Sequence, residues 1–213
     1  MKNIIRKTIC SALAAVTLSA CVVVPSALNN SGSKVSVVNS IDAEAAFSPF
    51  YGTVSILGTS LRKTPNGAII ANLWQFTPVY VTEESRVGRN YWYYVRTPQG
   101  DGWVNGRYVD KSTEAEYSIR NDYLKGKRYV FGTARKGMIY RESPSVNAGV
   151  AGKIWFLSIA QIERIWPTGR DGIVWGQLTN GGYLQLTDEK GRRTVDLLTK
   201  EQAKEWQDMY YGY

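Results

Sequence analysis

The chain has 213 residues, with 26 Lys and Arg against 18 Asp and Glu for a net charge of +8, and it contains no histidine. Its two cysteines, Cys10 and Cys21, both lie near the N-terminus. These counts exclude a histidine-held zinc, a Ser-His-Asp triad, a Cys-His dyad and an intramolecular disulfide in the body of the chain.

In chain order, Lys2, Arg6 and Lys7 precede an apolar run from Ile9 to Val24, the charged start and hydrophobic core of an export signal. The run is short for a membrane span. Two exits compete. Leu18-Ser19-Ala20-Cys21 has the form of a lipobox, which makes Cys21 the candidate lipidation site and membrane anchor; Ala43-Glu44-Ala45 has the small-x-small form of ordinary cleavage, which gives a secreted protein. Residues 1–45 therefore read as leader and tether. Beyond them remain 22 basic and 16 acidic residues, a surplus of +6 that suits an anionic partner without naming one.

From Gly52 onward, short β-branched and aromatic runs alternate with turn residues such as Pro65-Asn66-Gly67 and Gln99-Gly100-Asp101-Gly102. The pattern then repeats. Gly52-Thr53, Leu61-Arg62, Pro65, Leu73-Trp74, Trp92 to Val95 and Gly102-Trp103-Val104 are answered by Gly132-Thr133, Tyr140-Arg141, Pro144, Ile154-Trp155, Trp175 to Leu178 and Gly182-Tyr183-Leu184, at offsets of 79 to 83 positions. Between the copies, Thr113-Glu114-Ala115-Glu116 forms a capping box and predicts a short helix over 112–124, ended by Gly126. Thr199-Lys200-Glu201-Gln202 repeats that signal, and Gln202, Trp206, Met209 and Tyr210 recur at helical spacing, so a terminal helix is expected to dock its aromatic stripe on the second copy. The expected fold is all-β: two small barrels over 48–110 and 128–187, a helical linker over 111–127 and a C-terminal helix within 188–213.

These residues resemble the bacterial SH3 domain of exported and cell-wall proteins. The resemblance rests on Gly52-Thr53-Val54, Leu61-Arg62-Lys63-Thr64-Pro65, Trp92-Tyr93-Tyr94-Val95, Gly102-Trp103-Val104 and Tyr108-Val109, in that order over about residues 50–110. The second copy diverges, with Tyr183 in place of the Gly-Trp tryptophan and a longer loop over Pro167 to Gly172. The resemblance implies SH3-like barrels and wall binding. The Gly-Trp element with basic charge also looks like cell-surface modules that adhere to anionic wall polymers.

Catalytic readings have little to stand on. Ser60-Leu61-Arg62-Lys63 has Ser-x-x-Lys spacing but sits in a β segment without its companion motifs, and Glu83-Glu84 reads as a solvated turn. Lys125-Gly126-Lys127-Arg128-Tyr129 mixes cations with an aromatic, yet export argues against nucleic acid. The expectation is a non-catalytic envelope protein without cofactor or metal that binds peptidoglycan peptide or an associated anionic wall polymer. The rival is a scaffolding lipoprotein that binds another envelope protein. The first copy keeps both aromatic strands, so the ligand is placed there: Tyr80, Trp92, Tyr94 and Trp103 as the stacking surface, with Arg62 and Arg96 as anionic anchors.

Overall fold

The computed structural model describes residues 47–168 and 172–211; the segment read as a leader, with Cys21 and the two candidate cleavage sequences, lies outside the described residues. The fold is mostly β, in two antiparallel sheets with two α-helices. The first sheet comprises β1 (Phe50–Val54), β2 (Thr59–Arg62), β3 (Ile69–Leu73), β4 (Pro78–Val87), β5 (Asn90–Thr97), β6 (Gly100–Asn105) and β7 (Val109–Lys111), in the order β3-β2-β6-β5-β4-β1-β7. The second comprises β8 (Tyr129–Phe131), β9 (Met138–Arg141), β10 (Val150–Ile154), β11 (Ile159–Ile165), β12 (Trp175–Leu178) and β13 (Tyr183–Gln185), in the order β10-β9-β13-β12-β11-β8. Helices α1 (Glu114–Leu124) and α2 (Lys200–Tyr211) follow the two sheets. Among the described residues β3 does not pair with β7, nor β10 with β8, so each is an open sheet rather than a barrel closed by hydrogen bonds. The first sheet nevertheless curls, because Leu73 from one edge strand and Val109 from the other share a core with Val54, Val79, Val81, Val95 and Val104.

The registers of the two sheets run in parallel at the positions matched in the sequence. Trp92 faces Asn105, and Trp175 faces Gln185; Tyr94 faces Trp103, and Gln177 faces Tyr183; Arg62 faces Trp103, and Arg141 faces Tyr183. Even a β-bulge recurs, after the Val81–Val95 pair and after the Ile162–Leu178 pair. The Gly52–Gly132 match read from the sequence does not survive. Gly52 faces Val79, whereas Ala160, the counterpart of Val79, faces Val130. Gly132 instead stands where Val54 does: the Val54 N–H donates to the Thr77 carbonyl and its carbonyl accepts from Phe76, while Gly132 makes the same pair with Ser158 and Leu157. The two glycines answer different steric demands. A Cβ at Gly52 would lie 2.8 Å from the Asp110 carbonyl, and one at Gly132 would collide with that of Trp155.

The parallel extends to the lead-in and cap of each helix. Ser112 N–H donates to the Tyr51 carbonyl in the first copy, and Leu198 exchanges two backbone hydrogen bonds with Tyr129 in the second. The next residue is the N-cap each time. Thr113 Oγ1 accepts from Glu116 N–H at 3.1 Å and Thr199 Oγ1 from Gln202 N–H at 3.2 Å, with Gln202 Oε1 accepting from Thr199 N–H in return. Where the first copy reaches its cap through a 3-10 turn at Gly106–Tyr108 and β7, the second takes a longer excursion through Leu186 to Leu197.

Helix α1 belongs to both halves. It lies on β1 and β4, with Tyr117 ringed against Tyr51 at 5.0 Å, yet Ile119 is fully buried in the second core beside Val130, Ile162, Val174 and Leu186. Arg120, buried, pairs with Glu116 at 2.8 Å, donates to the Trp166 carbonyl and lies over the Phe76 ring. The Tyr123 hydroxyl donates to the Glu163 carbonyl. Asp122 receives Arg193 at 2.8 Å and Lys127 at 3.0 Å. Burial pushes the Asp122 carboxyl up, but the hydrogen bonds from Lys127 and Arg193 outweigh it and hold the pKa below the ordinary value.

Truncating Ile119 to Ala should cost about 3 kcal/mol, through lost burial and the cavity left behind, and calorimetry should still show one transition for the two sheets. Asp122→Asn should lower the melting temperature at neutral pH. Because the folded-state pKa is depressed, the Asp122 contribution is complete above the unfolded value of about 3.9 and is lost as pH falls through the folded value. The wild-type and Asp122→Asn melting curves should therefore converge in strong acid.

Candidate functional site

The six residues singled out in the first copy share one face of its sheet, because residues directly opposite in register point to the same side. Arg62 on β2, Trp103 on β6, Tyr94 on β5 and Glu83 on β4 form one row across the strands. Asp101, Arg96 and Tyr80 form the row on one side of it, and Asn105, Trp92 and Ser85 the row on the other. Tyr93 and Val95 have the opposite parity and pack with the core. The Tyr94 and Trp103 rings meet edge-on at 5.4 Å, which fixes their orientation.

The structure divides this set. Trp92 and Arg62 line a cleft of about 470 Å³, together with Ile56, Leu57, Ser60, Asn105 and Tyr108. Trp92 does not present an open stacking face as expected: it is only 4% exposed, although its parity is that of Tyr94. The loop after β1 and the 3-10 turn that carries Tyr108 supply the rest of the cleft wall, so strand alternation alone does not give its exposure. Its indole N–H is buried and has no hydrogen-bond partner, an arrangement that normally costs about 1–3 kcal/mol. Tyr80 and Arg96 lie away from the cleft. The Tyr80 ring is 5.0 Å from that of Tyr51 on the side where α1 packs. Burial, and next the Glu114 carboxylate, push the Tyr51 phenol above its ordinary pKa.

Arg62 has a structural task as well. Its Nη1 donates to the Gly67 carbonyl at 2.6 Å and braces the β2–β3 hairpin. Arg141 does the same in the second copy, donating to the Ala148 carbonyl at 2.7 Å. A guanidinium carries further donors beyond that one bond, and Arg62 also lines the cleft.

Sequence reasoning missed the residues that make the cleft concave. Ile56-Leu57-Gly58 is an apolar pair before a glycine at positive φ, and both side chains are exposed. Asn105 caps the 3-10 turn by accepting from Arg107 N–H at 3.2 Å, which sets Tyr108 at the cleft wall. Asn105-Gly-Arg-Tyr108 was the available signal.

The second copy carries the same framework without this cleft wall. Trp175 matches Trp92, is 1% exposed, and also has an unpartnered indole N–H. Tyr108 has no counterpart. Its place in the chain is taken by the Leu186–Leu197 excursion, which is tied back by Leu186 N–H to the Val174 carbonyl, Val174 N–H to Thr187 Oγ1, and Thr194 Oγ1 to the Gln185 carbonyl. The exposed apolar pair Ile56-Leu57 gives way to Ala134-Arg135-Lys136.

Among the described residues there is no group of three or more His, Cys, Asp or Glu able to hold a metal ion, and no helix is long and apolar enough to cross a membrane. No protein-family model matches this chain, and no curated protein matches it.

Since the Trp92 N–H has no partner to lose, Trp92→Phe should keep the melting temperature within a few degrees of wild type. Trp92→Ala should cost about 3–5 kcal/mol. Thermal denaturation of the two variants side by side checks this.

Proposed function

We propose that this chain is a non-catalytic, exported envelope protein whose first, SH3-like half binds a wall component: a peptidoglycan peptide or an associated anionic polymer. The observation that supports this best is the Trp92 cleft. Arg62 stands there as a cation beside the Trp92 ring, with Ile56 and Leu57 as apolar lips, a combination that suits a ligand with an anionic and an apolar part. Tyr94 and Trp103 extend the surface as an aromatic step, and Arg96 with Tyr80 lies further along the same face. On this reading the second half is a divergent SH3-like unit that supports the first, and the leader delivers the protein by lipidation at Cys21 or as a free secreted chain.

Binding to purified cell walls, measured by co-sedimentation of the full chain, tests the reading. Trp92→Phe should weaken binding several-fold by shrinking the aromatic floor of the cleft, with the fold intact by circular dichroism. Folded Tyr94→Ala and Arg96→Ala should each weaken it several-fold. Wild-type affinity in all three variants sinks the assignment, and capture of an envelope protein in place of the wall moves the function to scaffolding.

A further inference from the structure

One turn recurs in both halves with the same strain and the same exposed side chain. Between β3 and β4 the chain runs Trp74-Gln75-Phe76-Thr77, and between β10 and β11 it runs Trp155-Phe156-Leu157-Ser158. In each, the fourth N–H donates to the first carbonyl, at 3.1 and 3.0 Å. The third residue has φ of 64° in Phe76 and 63° in Leu157, a conformation that normally calls for glycine and that strains a bulky residue.

Packing explains the third residue. Phe76 lies under the Arg120 guanidinium, and Leu157 packs with Phe131, Leu198 and Ala203. Packing does not explain the first. Trp74 is 67% and Trp155 is 62% exposed, the two most exposed tryptophans among the described residues. The halves differ at Tyr93/Gly176, Tyr94/Gln177 and Trp103/Tyr183, yet both set a tryptophan outward on this strained turn.

The surroundings of these rings point to the ligand chemistry. Gly58 N–H donates to the Leu73 carbonyl and Gln75 Nε2 to the Ser55 carbonyl, which brings exposed Ile56 and Leu57 alongside the first turn. At the second, the exposed Phe156 ring stands 6.4 Å from the exposed Tyr210 ring, and the Lys153 ammonium lies 5.7 Å from the centre of Trp155. A sugar site needs convergent polar side chains for hydroxyl groups; here Gln75 is spent on the Ser55 carbonyl, and the other neighbours are aliphatic and aromatic but for the Lys153 cation. Exposed indoles among apolar side chains, with a cation beside them, are the composition that enters the headgroup zone of a bilayer and meets lipid phosphates. The surplus of +6 over residues 46–213 adds long-range attraction to such a surface.

We propose that the Trp74–Thr77 and Trp155–Ser158 turns are twin anchors that dock this chain on an anionic lipid surface. The test titrates the full chain and a Trp74→Ala/Trp155→Ala double variant into vesicles of phosphatidylcholine with phosphatidylglycerol, and into phosphatidylcholine alone. Both proteins carry the same residues 1–46, so the contribution of that segment cancels. The double variant should bind the anionic vesicles at least about tenfold more weakly. It should also lose the fluorescence quenching by brominated lipid that wild type shows. Lys153→Glu should weaken binding to the anionic vesicles only. A Trp74→Leu/Trp155→Leu variant should recover much of the affinity, which shows that the loss is apolar in origin and not a folding defect. Equal vesicle binding by wild type and the alanine double variant overturns the proposal. So does unchanged vesicle binding together with lost binding to chito-oligosaccharides, which assigns the turns to sugar stacking. Trp92→Phe, run in parallel on cell walls, reports on the cleft separately, so failure of one reading is distinguishable from failure of the other.

Discussion

The constraint on which the rest of the described structure depends is that one helix serves two cores. Helix α1 rests on β1 and β4 of the first sheet and drives Ile119 into the core of the second. Pulling the halves apart would therefore expose an aliphatic side chain and open a hole in the second core, a cost of several kcal/mol before any polar contact is counted. The Glu116–Arg120 pair adds direction more than strength. Two charges taken from water recover their hydration only where every donor finds a partner, and here Arg120 has Glu116, the Trp166 carbonyl and the Phe76 ring. Few other placements of the helix satisfy all three.

The equivalent helix of the second half, α2, presents a different outer side. Counted from the capping threonines, the place of Ile119 in α1 is taken in α2 by Glu205, which is exposed. Helix α2 still packs on its own sheet through Ala203, with Trp206 and Tyr210 ringed against Phe131, but its outer side carries charge where α1 carries a core residue. In the first half, Phe47 and Phe50 pack against Tyr93. The second half has Gly176 at that position, with Ile162 and Leu186 methyls so close that a Cβ would crowd them. The two halves thus differ at these positions through their own local packing.

Much of this was legible in the sequence, for a physical reason: large aromatic and β-branched side chains must alternate with turns, and the order of those turns survives divergence. The mostly β character and the matched Trp92/Trp175 and Trp103/Tyr183 positions follow from it. The Gly52–Gly132 match misled because glycine marks a close approach without saying to what. The two capping boxes were visible at Thr113 and Thr199, but the Leu186–Leu197 excursion carries no periodicity, and it hid the fact that the two helices are equivalents. The burial of Trp92 was invisible for a similar reason. Alternation sets which face a side chain takes, and only the three-dimensional course of the loops sets what covers it. Hydrogen-bond closure is likewise a property of the sheet edges, and the edge strands β3 and β7 share a core without pairing.

The two halves also show why an arginine beside an aromatic strand is weak evidence of an anion site by itself. Arg62 and Arg141 brace equivalent hairpins with nearly equal geometry, so their retention is accounted for by the fold. What differs between the halves is the loop chemistry laid over a shared framework: apolar Ile56 and Leu57 with a 3-10 turn presenting Tyr108 in one, cationic Arg135 and Lys136 with a long excursion in the other. The framework fixes where a tryptophan stands, and the loops decide whether it lines a ligand-sized cleft. In the second half the excursion supplies Leu186 and Leu197 to the core that receives Ile119. The segment that replaces the Tyr108 turn is thus also the segment that holds the two sheets together, and a second copy of the cleft could not be restored by point substitution without loosening that joint.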